Sequence, residues 1–189
     1  MSIAIADEGA VRRIWIDRTE HRNKLDPANS AALLKALDDA NRDGQVRAVL
    51  LAAKGDVFCY GNDGEIAAQL CDFRAWMTKP VVAAVHGVAI GAGVGLLANA
   101  HVVVAAQGTS FALTEVRVGA WPAMFEAIAK AIGQRRAAEL ALTGRVFPAP
   151  EALQMGLVHE IAPAFEFEDR AEALALHLSG LDLTGRLPL

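Results

Sequence analysis

Three short segments of the sequence combine an apolar run with groups that could stabilise negative charge or move a proton: Phe58–Asp63, Gly87–Gly95 and Phe111–Gly119. In the first two, a predicted strand gives way to a glycine-containing turn and then a helix, which leaves unpaired amides where negative charge is favoured. The third carries Glu115 among apolar neighbours, which would raise the pKa of its carboxyl group and suit it to proton transfer. The alternative is that Glu115 starts a helix and only bonds backbone amides.

The glycine-rich turn at residues 87–95 could instead belong to a dinucleotide-binding site, whose GxGxxG fingerprint needs glycine at its sixth position. Counting from Gly91 places Leu96 there, and counting from Gly93 places Ala98 there, so the pattern fails. The GxSxG, HExxH and EF-hand patterns are also absent from the sequence. A Rossmann site, an α/β-hydrolase elbow and these metal sites are therefore disfavoured.

The run from Val81 to Ala106 is almost entirely apolar, so a membrane-spanning helix is the alternative to a buried strand–helix–strand unit. Its glycines interrupt a helix, and His86, Asn99 and His101 would lie in lipid. Basic flanking residues that would anchor a span are missing. We therefore favour the buried unit and expect no membrane association.

Strand-like and helix-like segments alternate along the chain, which predicts an α/β fold with parallel strands and crossover helices. A hairpin opens the chain, and Asp26-Pro27 provides an N-cap and a first helical residue for a helix that runs to about Asn41. The other predicted elements are strands or extended segments at 46–52, 57–63, 81–87, 101–106, 111–115 and 157–163, and helices at 64–76, 121–133, 134–142, 150–155 and 165–178. Residues 89–100 are predicted as a glycine-rich turn that leads into a helix.

The composition indicates a globular protein with one core, because 53% of the 189 residues are hydrophobic and 21% are charged. A net charge of −4 without a basic run disfavours nucleic-acid binding. Cys59 and Cys71 show no paired spacing, and the N-terminus lacks the pattern of a signal peptide. We therefore expect a cytoplasmic location.

Several ordered motifs closely resemble the crotonase (enoyl-CoA hydratase/isomerase) superfamily, and together they cover nearly the whole chain. KPVVAAVHGVAIGAGVGLLANAHVVVAA and VFCYGND resemble the two blocks that carry oxyanion amides in that family. FALTEVRVG resembles the segment that bears one catalytic glutamate, HRNKLD the motif that lines the CoA site, and TGRVFPAPEALQMGLVHEIAP the region before the C-terminal helices. The resemblance implies a crotonase-like spiral of ββα units. It also implies an acyl-CoA thioester substrate, with no separate cofactor and no metal.

By this resemblance the oxyanion amides fall on Asn62 and Ala92, and the catalytic acid/base falls on Glu115. Two fixed N–H donors would stabilise the enolate that forms when a proton leaves C2 of the thioester. The second glutamate of hydratases maps onto Gly95, which has no side chain. One base suffices to remove a proton and return it elsewhere, so we expect isomerisation of 3-enoyl-CoA to 2-enoyl-CoA.

Two other functions stay open. A hydratase could take its second acid from Asp63, Glu65 or Glu126, although each can equally be a turn, cap or solvated helix residue. A crotonase homologue could also bind acyl-CoA or a partner without turnover. Only the hydratase needs a second carboxylate within reach of the site.

The resemblance further implies which residues bind CoA. His21, Arg22 and Lys24 are candidates for its nucleotide end, with a solvated loop as the alternative. Trp121, Met124 and Phe125 could line an acyl pocket or serve packing alone. The full predicted CoA-site set is Arg22, Lys24, Tyr60, Gly61, Asp63 and Gly91.

The chain is expected to divide into a core domain at residues 1–163 and an abbreviated helical segment at 164–189. Relatives carry further helices after this point, which cover the CoA adenine and build trimers. We therefore expect a shortened C-terminal helical region, in a fragmentary or differently assembled family member. A homo-oligomer, either a trimer or a dimer of trimers, is the expected assembly.

Overall fold

The structure is a computed structural model that describes residues 2–183 and 187. Its strands are β1 (Ile3–Glu8), β2 (Val11–Ile16), β3 (Ala48–Ala53), β4 (Cys59–Tyr60), β5 (Val81–Val85), β6 (Val88–Ile90), β7 (Val102–Ala106), β8 (Ser110–Ala112), β9 (Val146–Pro148) and β10 (Glu160–Ala162). Its α-helices are α1 (Pro27–Arg42), α2 (Ala92–Asn99), α3 (Phe125–Ile132), α4 (Gln134–Thr143), α5 (Ala149–Met155) and α6 (Phe167–Ser179). Short 3₁₀ segments cover Thr19–His21, Ala68–Ala75 and Glu115–Val118.

Within the described residues the strands form two sheets, in the orders β1-β2-β3-β5-β7-β10 and β4-β6-β8-β9. All neighbouring pairs are parallel except β1–β2 and β8–β9. β3, β5 and β7 in the larger sheet are followed by β4, β6 and β8 in the smaller one, and a helical segment follows each pair. The predicted α/β class and the spiral of ββα units are confirmed.

Alternate residues of β3 contribute to two apolar clusters, as the two-residue period of a strand requires. Val49, Leu51 and Ala53 face the main core, where α1 and α2 pack. Ala48, Leu50 and Ala52 face the other side, which α6 covers through Phe167, Ala171 and Ala175. Burial of both faces explains why this strand is an unbroken apolar run.

Most helix boundaries follow from local chemistry. The Asp26 side chain accepts a hydrogen bond from the Asn29 amide at 2.8 Å, and Pro27 occupies the first helical position, as predicted. The predicted helix at 64–76 is instead a 3₁₀ segment interrupted at Asp72, whose φ is −142° and ψ is 52°. It buries only Leu70 and Phe73, and their three-residue spacing fits a 3₁₀ turn as well as an α-helix.

Other elements also differ from the sequence prediction. The helix expected to open at Trp121-Pro122 begins only at Phe125, after a turn in which the Phe125 amide donates to the Pro122 carbonyl at 3.1 Å. Strand β9 was not predicted, because its three residues end in proline and are held by antiparallel pairing with β8.

The apolar run at residues 81–106 folds as β5, β6, α2 and β7. Among the helices of the described residues, none has the length and apolar character needed to cross a membrane. The division after residue 163 stays a prediction.

Candidate active site

The three predicted catalytic positions follow the carboxyl ends of three neighbouring strands. β4, β6 and β8 are parallel and adjacent, and their last residues are level with one another. Asn62 and Ala92 each lie two residues beyond those ends, and Glu115 lies three residues beyond. Because neighbouring strands are about 4.8 Å apart, the topology brings the three positions together at one edge of the smaller sheet.

The hydrogen bonds of Gly61 and Asp63 determine the direction in which the N–H group of Asn62 points. The Gly61 carbonyl accepts from the Leu25 amide at 2.9 Å, and the Asp63 amide donates to the Leu25 carbonyl at 2.7 Å. Both groups lie on one side of the chain, so the N–H of Asn62 faces the other side, where β6 lies. The Asn62 side chain donates to the Gly64 carbonyl at 2.8 Å. The backbone of Asn62 is therefore the group available to a ligand.

The amide of Ala92 is the first at the N-terminus of α2, where amides lack intrahelical partners. Gly91 precedes it with a φ of 53° and a ψ of −110°, a conformation that favours glycine. The Gly91 amide donates to the Ala112 carbonyl at 2.9 Å and so continues the sheet. The next amide, that of Ala92, is left where a helix N-terminus stabilises negative charge.

The carboxylate of Glu115 lies directly over Gly91. A Cβ atom added to Gly91 would be 2.6 Å from Oε1 and 3.5 Å from Oε2 of Glu115. Oε2 is buried and has no hydrogen-bond partner among the described residues. This unpartnered oxygen favours proton transfer with a bound molecule over a purely capping role.

Burial raises the pKa of the Glu115 carboxyl group above its ordinary value, and the amides of Glu115 and Thr114 oppose that rise. Loss of hydration disfavours the charged form, so burial is the physical cause. A carboxyl group with a raised pKa exchanges protons closer to neutral pH, which suits a general acid/base.

The volume beside Gly95 is filled by Met124. A Cβ atom at Gly95 would lie 2.3 Å from Sδ and 2.5 Å from Cβ of Met124, whose side chain is buried. A glutamate at position 95 would therefore fit only if Met124 moved. Trp121 is half exposed, and its ring contacts that of Phe125 with the ring centres 4.8 Å apart.

The other candidate acids lie at the surface. Asp63, Glu65 and Glu126 are exposed. Of Glu115 and these three candidates, only Glu115 is partly buried. A second acid would have to come from a solvated position.

Several predicted CoA-site residues lie beside β4. The Arg22 guanidinium is 5.1 Å from the centre of the Tyr60 ring, and the Tyr60 amide donates to the Arg22 carbonyl at 3.1 Å. Gly61 and Asp63 bond the same loop through Leu25. The structure thus brings Arg22, Tyr60, Gly61 and Asp63 together on one flank of Asn62. Gly91 lies on the other flank, and partly exposed Lys24 belongs to the 21–26 loop. Their binding of CoA stays a prediction.

Asn23 holds that loop in place and was not singled out from the sequence. It is 1% exposed and has a positive φ of 54°. Its Nδ2 donates to the carbonyls of Lys54 at 2.8 Å and Val57 at 2.6 Å, and its Oδ1 accepts from the Arg18 amide at 2.8 Å. Asparagine tolerates this left-handed conformation better than most residues, which was the one available signal.

The cysteines do not contribute reactive thiols. Cys59 is fully buried beneath the site, and burial raises the pKa of its thiol to about 12. Burial also raises the pKa of Cys71. A thiol with a raised pKa is a poor nucleophile at neutral pH.

Fold and site together define an α/β protein built of ββα units, in which adjacent strand ends carry two backbone amides and a partly buried carboxylate. The enoyl-CoA hydratase/isomerase family profile matches residues 6–181. The chain therefore belongs to the enoyl-CoA hydratase/isomerase family, within the crotonase superfamily, and the resemblance stated above is confirmed.

Individual relatives are consistent with membership of this family. A protein of Thermus thermophilus with the provisional name enoyl-CoA hydratase is 34% identical over 188 residues, covering 89% of this chain and 74% of the relative. The (E)-benzylidenesuccinyl-CoA hydratase of Thauera aromatica is 28% identical over 194 residues, covering 93% and 75%. The crystal structure of an enoyl-CoA hydratase/isomerase from Pseudoalteromonas atlantica T6c has a TM-score of 0.89 at 31% identity, covering 96% of this chain and 78% of that one.

Proposed function

We propose that this member of the family isomerises 3-enoyl-CoA to 2-enoyl-CoA, with Glu115 as the single acid/base and the amides of Asn62 and Ala92 as the oxyanion hole. One observation carries the proposal. The partly buried carboxylate of Glu115 has a free oxygen at the start of α2, while Met124 fills the volume beside Gly95 where a second carboxylate would stand. A site with one base suits proton movement within the substrate better than the addition of water.

The reaction needs no group beyond the chain and its substrate. Glu115 takes a proton from C2, the thioester oxygen becomes an enolate oxygen, and the two amides stabilise its charge. The double bond then forms between C2 and C3 as Glu115 returns the proton to C4. Protons balance within the substrate, and each amide donor is worth about 2.7–4 kcal/mol in the transition state.

Hydration of 2-enoyl-CoA is the second candidate, because the relatives from Thermus and Thauera carry hydratase names. It requires a second acid, and exposed Asp63 directly follows Asn62. An acyl-CoA-binding protein without turnover is the third possibility. A homo-oligomeric assembly, a cytoplasmic location and the CoA contacts of Arg22 and Lys24 stay predictions.

Assays of the purified chain with 3-enoyl-CoA and with 2-enoyl-CoA separate these functions. We expect isomerisation by the wild type and its loss in Glu115→Gln, by about 10²–10⁴-fold. Glu126→Gln, an exposed glutamate in α3, is the matched control and should keep full activity.

Three results would contradict the proposal. Equal isomerisation in wild type and Glu115→Gln would remove Glu115 from the reaction. Hydration without isomerisation would favour the hydratase, and Asp63→Asn would then test its second acid. Tight acyl-CoA binding without turnover of either substrate would leave a binding protein.

A further inference from the structure

A cavity of about 640 Å³ opens at the C-terminal end of α2, away from Glu115. Its walls come from the 3₁₀ segment at 72–75, the chain at 97–101, part of α3 and the chain at 156–159 before β10. An α-helix rises about 1.5 Å per residue, so the length of α2 separates this cavity from Ala92 by about 10 Å. The proposed oxyanion hole and this cavity are thus at opposite ends of one helix.

Two histidines of the cavity wall are oriented in the same way. The Val81 amide donates to Nδ1 of His101, and the Val103 amide donates to Nδ1 of His159, both at 3.1 Å. His159 is level with Val103, two residues beyond His101 on the neighbouring strand, so both rings project from the same face of the sheet.

A ring nitrogen that accepts from an amide carries no proton, so each neutral ring holds its proton on Nε2. Nε2 of His101 is buried and has no hydrogen-bond partner within the described residues. A buried donor without an acceptor costs free energy, which an acceptor bound in the cavity would recover. Both histidines line the cavity, so an acceptor bound there would lie beside the two rings.

The cavity also carries positive charge. The Arg74 guanidinium donates from Nη1 to the Ala100 carbonyl at 3.0 Å, which anchors it in the wall, and no ion pair of the described residues includes it. Nζ of Lys130 lies 3.5 Å from Oδ2 of Asp72, which is the one carboxylate among the described lining residues. The two cations outnumber that carboxylate.

Arg74 acts on both imidazoles. Burial, and then the charge of Arg74, lowers the pKa of His101 to about 4 and lowers that of His159. The positive field therefore reaches both rings, and an anion in the cavity would offset it. Such an anion would raise both histidine pKa values.

We propose that this cavity binds a phosphate group, held by the Arg74 guanidinium and by the Nε2–H donors of His101 and His159. Phosphate presents several strong acceptor oxygens, which suit a guanidinium and N–H donors that reach the cavity from separate elements. The group could arrive as free phosphate or as the end of a phosphate monoester. Both share the recognised chemistry, and the experiment distinguishes them.

Histidine NMR signals of the full chain provide the test, titrated with inorganic phosphate and with glycerol 3-phosphate at constant ionic strength in chloride. We expect saturable shifts of His101 and His159 and a rise of their pKa values, with exposed His177 of α6 as the unaffected internal reference. Tighter binding of one probe identifies the source of the phosphate group.

Arg74→Gln should weaken binding about 10- to 100-fold, because one charge-assisted contact is lost. Arg136→Gln, at an exposed position of α4, is the matched control and should bind as the wild type does. Absence of saturable shifts with either probe, or equal weakening in both variants, would overturn the proposal. Should circular dichroism show that Arg74→Gln is unfolded, His159→Gln decides: weaker binding supports the site, and unchanged binding overturns it.

Discussion

Gly91→Ala tests whether Glu115 and the start of α2 act as one unit. The substitution adds a single methyl group at Gly91, where the Glu115 carboxylate lies against the main chain. That methyl carbon would lie 2.6 Å from Oε1 and 3.1 Å from Cδ of Glu115. The carboxylate must therefore move, or the turn that carries Ala92 must move.

Two effects set the magnitude. A residue with a side chain at φ 53° and ψ −110° is strained by about 1–3 kcal/mol, which should lower the free energy of unfolding by that amount. Relief of a 2.6 Å contact requires a shift of about 1 Å, and a catalytic group misplaced by that distance costs about 10²-fold in rate. The loss of activity should therefore exceed what the loss of stability explains.

The assay compares isomerisation of 3-enoyl-CoA with urea unfolding. Gly9→Ala is the matched control, because Gly9 has a similar φ of 58° but nothing within 4 Å of an added Cβ atom. It should lose stability and keep its activity. Full activity in Gly91→Ala, or an equal loss of activity in Gly9→Ala, would refute the reasoning.

Three other predictions concern Glu115, Gly95 and Asn23. The folded state holds the proton of Glu115 more tightly than the unfolded chain does, so ionisation destabilises the fold as pH rises past the ordinary value of 4.5. Glu115→Gln should thus be more stable than the wild type at pH 7 in urea unfolding, with a difference that disappears below about pH 4; a constant difference would contradict the burial argument. Gly95→Glu should unfold more easily by about 1–3 kcal/mol because it collides with Met124, and Met124→Ala in the same chain should restore part of that loss in the same assay; no restoration would mean that Met124 is not the obstacle. Asn23→Ala removes the three hydrogen bonds by which this buried side chain holds the 21–26 loop, and should lower the free energy of unfolding by about 2–4 kcal/mol, a change that thermal and urea unfolding would both detect.

Parts of the site that depend on local sequence could be predicted. The amide of Ala92 is available because a glycine turn ends a strand and starts a helix, and all three features lie within one short stretch of chain. The cap at Asp26 is local for the same reason.

Other parts depend on contacts between distant segments. Asn62 and Glu115 share a sheet edge because β4 and β8 both pair with β6 in one register, which no local pattern encodes. The contact between Met124 and Gly95 depends on how α3 packs on α2, so the sequence left both packing and pocket lining open for Met124. The segment at 68–75 was wrongly predicted as an α-helix, because two buried residues cannot distinguish an α-helix from 3₁₀ turns.

The cavity around His101 could not be predicted from the sequence either. The spacing of His101 from other histidines shows no ligand pattern, and the sequence suggested only a structural or surface role. His101 and His159 lie close together in the cavity wall because they directly precede β7 and β10, which are neighbouring strands of the larger sheet. Arg74 joins them from a segment whose path was itself predicted wrongly.

Formation of the enolate is the step on which every proposed role of the site depends, and hydrogen exchange at C2 of a saturated acyl-CoA in deuterated water isolates it from the later chemistry. NMR follows the loss of the C2 proton signal with wild type, Glu115→Gln and the Glu126→Gln control. We predict catalysed exchange in wild type and control, and a rate about 10²–10⁴-fold lower in Glu115→Gln. Exchange that is equally fast without the Glu115 carboxylate would contradict the account.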